Sequence, residues 1–72
     1  MDNTNSNIEL SIVIPCYNEA GNIMSICERL EIYCSKVQFE LILVDNGSTD
    51  NTSEMIEHAK TLYNFVKKIK HF

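Results

Sequence analysis

Two short segments of the chain concentrate carboxylate, hydroxyl and amide side chains. Residues 15–19 read P-C-Y-N-E, and residues 45–50 read D-N-G-S-T-D. Carboxylates of this kind suit sugar hydroxyls, the N–H edge of a base, or a divalent metal ion. Neither segment has the G-x4-G-K or G-x-G-x-x-G pattern of a phosphate-binding backbone loop. The two segments therefore predict recognition of a polar ligand by side chains.

Each segment follows a predicted β-strand. Residues 8–14 (I-E-L-S-I-V-I) predict a first strand that Pro15 ends, because proline has no N–H for the ladder. Residues 39–44 (F-E-L-I-L-V) predict a second strand, and residues 66–72 a third. The continuous apolar ends of the first two are typical of strands buried on both faces of a parallel sheet.

Two amphipathic helices connect these strands. The first is predicted to open near Glu19 with Asn18 as N-cap, and to end near Lys36. The second follows residues 45–50, with Asn51 and Glu54 at capping-box spacing or with Thr49 or Asp50 as the cap. The helical stripes are Ile23, Ile26, Cys27, Leu30 and Cys34 in the first helix, and Met55, Ile56, Ala59, Leu62 and Tyr63 in the second.

The order β-α-β-α-β predicts an α/β fold with an open parallel sheet and right-handed crossovers. Ligands bind such sheets outside the carboxyl ends of the strands, where both polar segments lie. The chain has 72 residues and 8.3 kDa, so we expect a polar leader (residues 1–7) and part of one nucleotide-binding domain (residues 8–72). The bare, uncharged edge of residues 12–14 predicts self-association.

The charge balance argues against nucleic acid as a partner. Ten acidic residues and six basic ones give a net charge of −4. The one basic cluster, Lys67, Lys68 and Lys70, is interpreted as the solvated face of an edge strand rather than a phosphate-binding tail. The three cysteines do not have the spacing of a metal site, and the longest unbroken apolar run is only residues 41–44. These features predict a reduced, cytoplasmic chain.

The two segments together resemble a known family. S-I-V-I-P-C-Y-N-E, followed by L-I-L-V-D-N-G-S-T-D-N-T, is similar to the start of the family 2 inverting glycosyltransferases of the GT-A fold. That family includes dolichyl- and undecaprenyl-phosphate sugar transferases. The resemblance covers Leu10 to about Ala59. It implies the N-terminal, Rossmann-like half of a GT-A domain, which binds a UDP- or GDP-linked sugar for transfer to a lipid-phosphate or saccharide acceptor.

The resemblance also assigns residues to the nucleotide pocket by position. They are Pro15, Tyr17, Glu19, Leu43 and Asp45. Many family members have Asp where this chain has Asn46, and we expect that change to alter the charge and turn of the loop more than to abolish binding.

Each of these side chains also fits a purely structural role. Tyr17 fits a residue that covers the end of the sheet, and Glu19 fits a first-turn acid that favours the helix dipole. Asp45 before Asn-Gly fits a plain turn, and Asp50 is assigned to capping. Cys16 is interpreted as a small packing residue.

The resemblance places the remaining machinery beyond residue 72. The D-x-D motif that holds Mg or Mn in the family, its sugar-binding segments and its catalytic base have no counterpart in this sequence. We therefore expect residues 1–72 to be inactive alone, with membrane association only through missing regions. The alternative is a truncated remnant or a small nucleotide-binding or interaction module without catalysis.

Overall fold

The computed structural model describes residues 7–71, which form three strands and two helices. The strands are β1 (Leu10–Cys16), β2 (Phe39–Asn46) and β3 (Val66–His71). The helices are α1 (Ile23–Tyr33), which follows a 3₁₀ turn at Ala20–Asn22, and α2 (Thr52–Leu62). The predicted β-α-β-α-β order is confirmed. The predicted leader, apart from Asn7, and Phe72 of the third strand lie outside the described residues.

The three strands form one parallel sheet in the order β1-β2-β3. Cys16 of β1 pairs with Asp45 of β2, and Asp45 pairs with Lys70 of β3. The carboxyl ends of the strands are therefore level, and the loops that follow β1 and β2 start side by side. The predicted open parallel sheet is confirmed, with β1 at one edge of its described part.

The sheet is covered on one face only. The core consists of Cys16, Ile23, Cys27, Leu41, Leu43, Ile56, Ala59 and Val66, and it lies between the sheet and the two helices. Val13 points to the other face and is 58% exposed. The expectation that the ends of the strands are buried on both faces is wrong for β1 within residues 7–71. Two successive right-handed crossovers between neighbouring strands place both connecting helices on the same side.

Several predicted boundaries and caps differ from the structure. β1 begins at Leu10 and continues through Pro15, because in an edge strand every second N–H faces away from the partner, and proline at such a position removes no ladder bond. α1 ends at Tyr33, not Lys36. Asn18 is not its N-cap, and the capping box at Asn51 is not formed.

The lysines of β3 do not share one solvated face, as the sequence had suggested. Successive side chains of a strand point to opposite faces, so Lys67 and Lys68 separate. Lys67 lies 3.7 Å from Glu40 on the uncovered face. Lys68 reaches α2, where its Nζ lies 2.9 Å from Glu57 Oε2 and 2.7 Å from Ser53 Oγ. Lys68 therefore connects β3 to α2.

Candidate functional site

Asp45 lies at the carboxyl end of β2 and is 2% exposed. The backbone N–H of Ser48 donates to Asp45 Oδ1 at 3.1 Å. Hydrogen bonding from the side chain and the backbone N–H of Ser48, helped by the positive charges of Lys68 and Lys70, holds the pKa of Asp45 below its ordinary value, although burial acts in the opposite direction. The site therefore contains an ionised, pre-oriented carboxylate at neutral pH.

The loop after β1 brings an aromatic ring and a second carboxylate to the same end of the sheet. Tyr17 is 55% exposed, so much of its side chain is open to a ligand. Glu19 Oε1 accepts a hydrogen bond from Asn22 Nδ2 at 2.8 Å, which orients its side chain across the 3₁₀ turn. The Tyr17 ring and the carboxylates of Glu19 and Asp45 therefore lie near the carboxyl ends of β1 and β2.

Hydrogen bonds between residues about 30 positions apart hold the two loops together. Asn18 Oδ1 accepts from the backbone N–H groups of Thr49 at 2.8 Å and of Asp50 at 3.2 Å. The backbone N–H of Glu19 donates to the Oγ1 of the fully buried Thr52 at 2.8 Å. Thr52 in turn donates its N–H and its hydroxyl to Asp50 Oδ1. The expected structural role of Asp50 at the start of α2 is consistent with these contacts.

Asn18, Ser48 and Thr52 are also parts of this site, although the sequence patterns do not predict them there. Asn18 had been interpreted as a helix cap because Asn is common there. Asn is also among the non-glycine residues that most readily adopt a left-handed backbone. This property is the one feature of the sequence that points to a role other than capping. Ser48 and Thr52 have no such feature, since their partners are distant in sequence.

The structure does not bring all five assigned residues together. Tyr17, Glu19 and Asp45 lie at the same end of the sheet. The Leu43 side chain is fully buried in the core, which leaves only its backbone for a ligand. Pro15 alternates with the buried Cys16 and so faces the uncovered side of the sheet. The nucleotide role of all five residues stays a prediction.

Comparison with known proteins gives this geometry its context. The sequence pattern described as glycosyl transferase family 2 matches residues 11–71, which include the three strands, both helices and both loops. The chain belongs to this family. The predicted resemblance is thereby confirmed, and the parallel α/β sheet is the one expected for the Rossmann-like half of its fold.

Three bacterial relatives illustrate what this family 2 chain is similar to. The chain is 41% identical over 56 residues to an undecaprenyl-phosphate 4-deoxy-4-formamido-L-arabinose transferase of Proteus mirabilis, a match that covers 75% of this chain and 17% of the relative. Proteins with the same name from Serratia proteamaculans and Yersinia enterocolitica are 40% and 42% identical over 53 residues, covering 71% of this chain. The chain thus spans 16–17% of the length of these relatives.

Cys16 is the last residue of β1 and pairs with Asp45 of β2 in the family 2 site. Its thiol is free and fully buried, and its Sγ donates to the Ile14 carbonyl at 3.5 Å. Burial raises the pKa of this thiol, and the negative charges of Glu19 and Asp45 raise it further. Cys16 is therefore an unreactive packing residue, as expected, and not a nucleophile. Cys34, expected to be buried, is partly exposed.

In the described part of this family 2 chain, the candidate site is an open surface and not a closed cavity. Residues 7–71 enclose no pocket, and they contain no group of three or more His, Cys, Asp or Glu side chains that could hold a metal ion. These side chains therefore do not fit a Mg²⁺ or Mn²⁺ site by themselves. Neither helix in this range is long and apolar enough to cross a membrane.

Proposed function

We propose that the two loops bind the nucleoside diphosphate portion of a sugar donor in a family 2 glycosyltransferase. The observation that carries the proposal is Asp45, a buried and ionised carboxylate held by Ser48 at the carboxyl end of the sheet. Open α/β sheets bind ligands at this end. Tyr17 stands on the neighbouring loop with its side chain largely open.

Each residue has a definite part in this proposal. Asp45 accepts a hydrogen bond from a base N–H or a ribose hydroxyl, for which an ionised acceptor is stronger than a neutral one. Tyr17 stacks its ring on the base, a contact that suits uracil and guanine alike. Glu19 accepts from the ribose, while Leu43 contributes its backbone and Pro15 shapes the loop. Both UDP and GDP fit these roles.

The activity of the whole enzyme is a further part of the proposal. The relatives are named undecaprenyl-phosphate sugar transferases, which supports a lipid phosphate as the acceptor. We propose a cytoplasmic site. The described residues offer an acceptor for the nucleotide but no metal cluster. We therefore propose that residues 1–72 bind donor without transferring sugar, and that Mg²⁺ or Mn²⁺ acts in the complete enzyme.

The direct test is an NMR titration of the chain with UDP and, separately, with GDP. We expect weak, saturable binding with amide shifts concentrated in residues 16–19 and 45–49, because these loops form the wall that meets the nucleotide. The amides at the amino ends of β1 and β3, residues 10–13 and 66–68, serve as an internal control, and their resonances are expected to stay unchanged. Absence of saturable shifts with both nucleotides, or shifts concentrated on the uncovered face, would contradict the proposal.

A non-catalytic interaction module is the second candidate function, and the uncovered sheet face favours it. Val13, Ile42 and Lys67 lie side by side across this face, and Pro15, Val44 and Ile69 form the next row. In the described residues β1 pairs with β2 only. An apolar face beside an unpaired strand edge favours association between copies of the chain.

Val13→Lys tests this self-association. We expect the wild-type chain to associate as its concentration rises and Val13→Lys to remain monomeric to higher concentration, because a charge at the edge opposes strand pairing. Sedimentation velocity over a concentration series measures the change. Ile32→Lys is the matched control, since Ile32 is also apolar and 71% exposed but lies on α1. Equal sedimentation of wild type and Val13→Lys would exclude this face as the interface.

A further inference from the structure

Asn18 has an unusual backbone conformation. Its φ is 53°, the only positive value among the non-glycine residues that the structure describes. The left-handed region is strained for residues with a Cβ, and strain of this kind persists where the surroundings enforce it. Glycine would adopt the same φ without that cost. The presence of Asn therefore suggests that its side chain is needed.

The Asn18 side chain bridges the two site loops. Its Oδ1 accepts from the N–H of Thr49 at 2.8 Å, the N–H of Asp50 at 3.2 Å and the Oγ1 of Thr49 at 3.3 Å. Its backbone N–H donates to Ser48 Oγ at 3.0 Å. One residue thus contacts three successive residues of the loop that follows β2.

These contacts lead directly to Asp45. The Ser48 oxygen accepts from the backbone N–H of Asn18, which fixes the position of Ser48 relative to the loop after β1. The Ser48 N–H donates to the Asp45 carboxylate at 3.1 Å. Ser48 therefore connects Asn18 to the Asp45 carboxylate through two hydrogen bonds, one at its side chain and one at its backbone N–H.

We infer that Asn18 is a positioning residue, which fixes the loop that carries the Ser48 N–H donor and so holds the Asp45 carboxylate in the orientation that meets the nucleotide. The last part of this inference rests on the proposed function, whereas the locking of Asp45 does not. A group held in its binding orientation loses less conformational entropy when the ligand arrives.

The chemistry of the site accounts for Asn at this position. Glycine allows the backbone conformation but offers no side-chain acceptor to Thr49 and Asp50. Aspartate offers the acceptor but adds a negative charge beside Glu19 and Asp50. Asparagine alone among these three combines tolerance of a positive φ with a neutral acceptor.

Asn18→Gly tests the inference, because it keeps the backbone conformation and the backbone N–H that donates to Ser48, and removes only the side-chain contacts with Thr49 and Asp50. The readout is the pKa of Asp45, followed by the pH dependence of its carboxyl carbon resonance. We expect this pKa to rise toward its ordinary value of 3.8, since the loop that carries Ser48 loses its hydrogen bonds to the Asn18 side chain at Thr49 and Asp50. Lys68 and Lys70 on β3 and the buried Cys16 also face Asp45, and the substitution leaves them unchanged.

Asn51→Gly is the matched control, because the Asn51 side chain makes no capping hydrogen bond. It is expected to leave the pKa of Asp45 as in the wild type. Ser48→Ala is a second variant, which removes the hydroxyl while Asn18 Oδ1 keeps its contacts with Thr49 and Asp50. It is expected to raise the pKa of Asp45 as Asn18→Gly does, so the inference is tested even if one variant fails to fold.

Nucleotide binding supplies a separate arm of the experiment. For UDP and GDP we expect Asn18→Gly to raise the Kd about tenfold, the equivalent of one hydrogen bond. An unchanged pKa of Asp45 in both Asn18→Gly and Ser48→Ala would overturn the positioning role. If the wild-type chain binds neither nucleotide, the proposed function fails, but the titration of Asp45 still decides whether Asn18 positions it.

Discussion

Leu43→Ala is expected to lower the free energy of unfolding by about 2–5 kcal/mol. Leu43 is fully buried on the central strand, β2, and packs in the core between the sheet and the two helices. Its truncation removes apolar contacts and leaves a cavity that a small core cannot fill. A domain of this size has little stability in reserve, so we expect the variant to be largely unfolded. Urea or thermal unfolding followed by circular dichroism measures the change.

Leu62→Ala is the matched control for this experiment. Leu62 is also a leucine, on α2, but it is 57% exposed. Its replacement is expected to change stability by no more than about 0.5 kcal/mol. The comparison also distinguishes the two roles of Leu43. A Leu43→Ala variant that folds as stably as the wild type but loses nucleotide would show that the side chain contacts the ligand rather than the core.

Asp45→Asn is expected to weaken the binding of UDP or GDP by roughly 10- to 150-fold, since a hydrogen bond to a charged group contributes about 1.5–3 kcal/mol. Asn has nearly the same shape, so Ser48 keeps an acceptor while the charge is lost. Isothermal titration or NMR titration of the folded variant measures the change in Kd. The reason for the large effect is that the carboxylate is buried, where water screens its interactions only weakly.

Asp50→Asn is the matched control, because it removes the same charge from the same loop. The Asp50 carboxylate accepts from the N–H and hydroxyl of Thr52 and thus has a structural role at the start of α2. We expect Asp50→Asn to leave the Kd within about threefold of the wild type. An equal loss of affinity in both variants would mean that the general negative charge of the loop, and not Asp45, determines binding.

The role of Asp45 in nucleotide binding also predicts the direction in which binding changes with pH. The pKa of Asp45 in the folded chain lies below its ordinary value of 3.8, mainly because Ser48 hydrogen-bonds to the charged form. Asp45 therefore stays ionised at every pH above that value. We expect its contribution to binding, and to stability, to be complete above pH 3.8 and to disappear as the pH falls through the lower pKa of the folded state.

Much of the architecture follows from local sequence patterns alone. The β-branched and apolar runs and the helical stripes determine the order β-α-β-α-β. The parallel sheet follows because strands that alternate with helices in sequence form β-α-β units, in which the helix returns the chain to start the next strand in the same direction. The P-C-Y-N-E and D-N-G-S-T-D segments were placed at the carboxyl ends of adjacent strands, where the structure has them, since loops that follow parallel strands emerge at one edge.

The tertiary structure alone decided which face each side chain occupies and which residues hold the site together. Val13 and Leu43 both lie in continuous apolar strands, yet one is exposed and the other is buried, because both helices cover the same face. Asn18 is of a residue type that is common at helix caps, yet its side chain accepts a hydrogen bond from Thr49, 31 positions away in the sequence. Such contacts depend on the pairing and register of distant segments, which no periodicity within a single segment records.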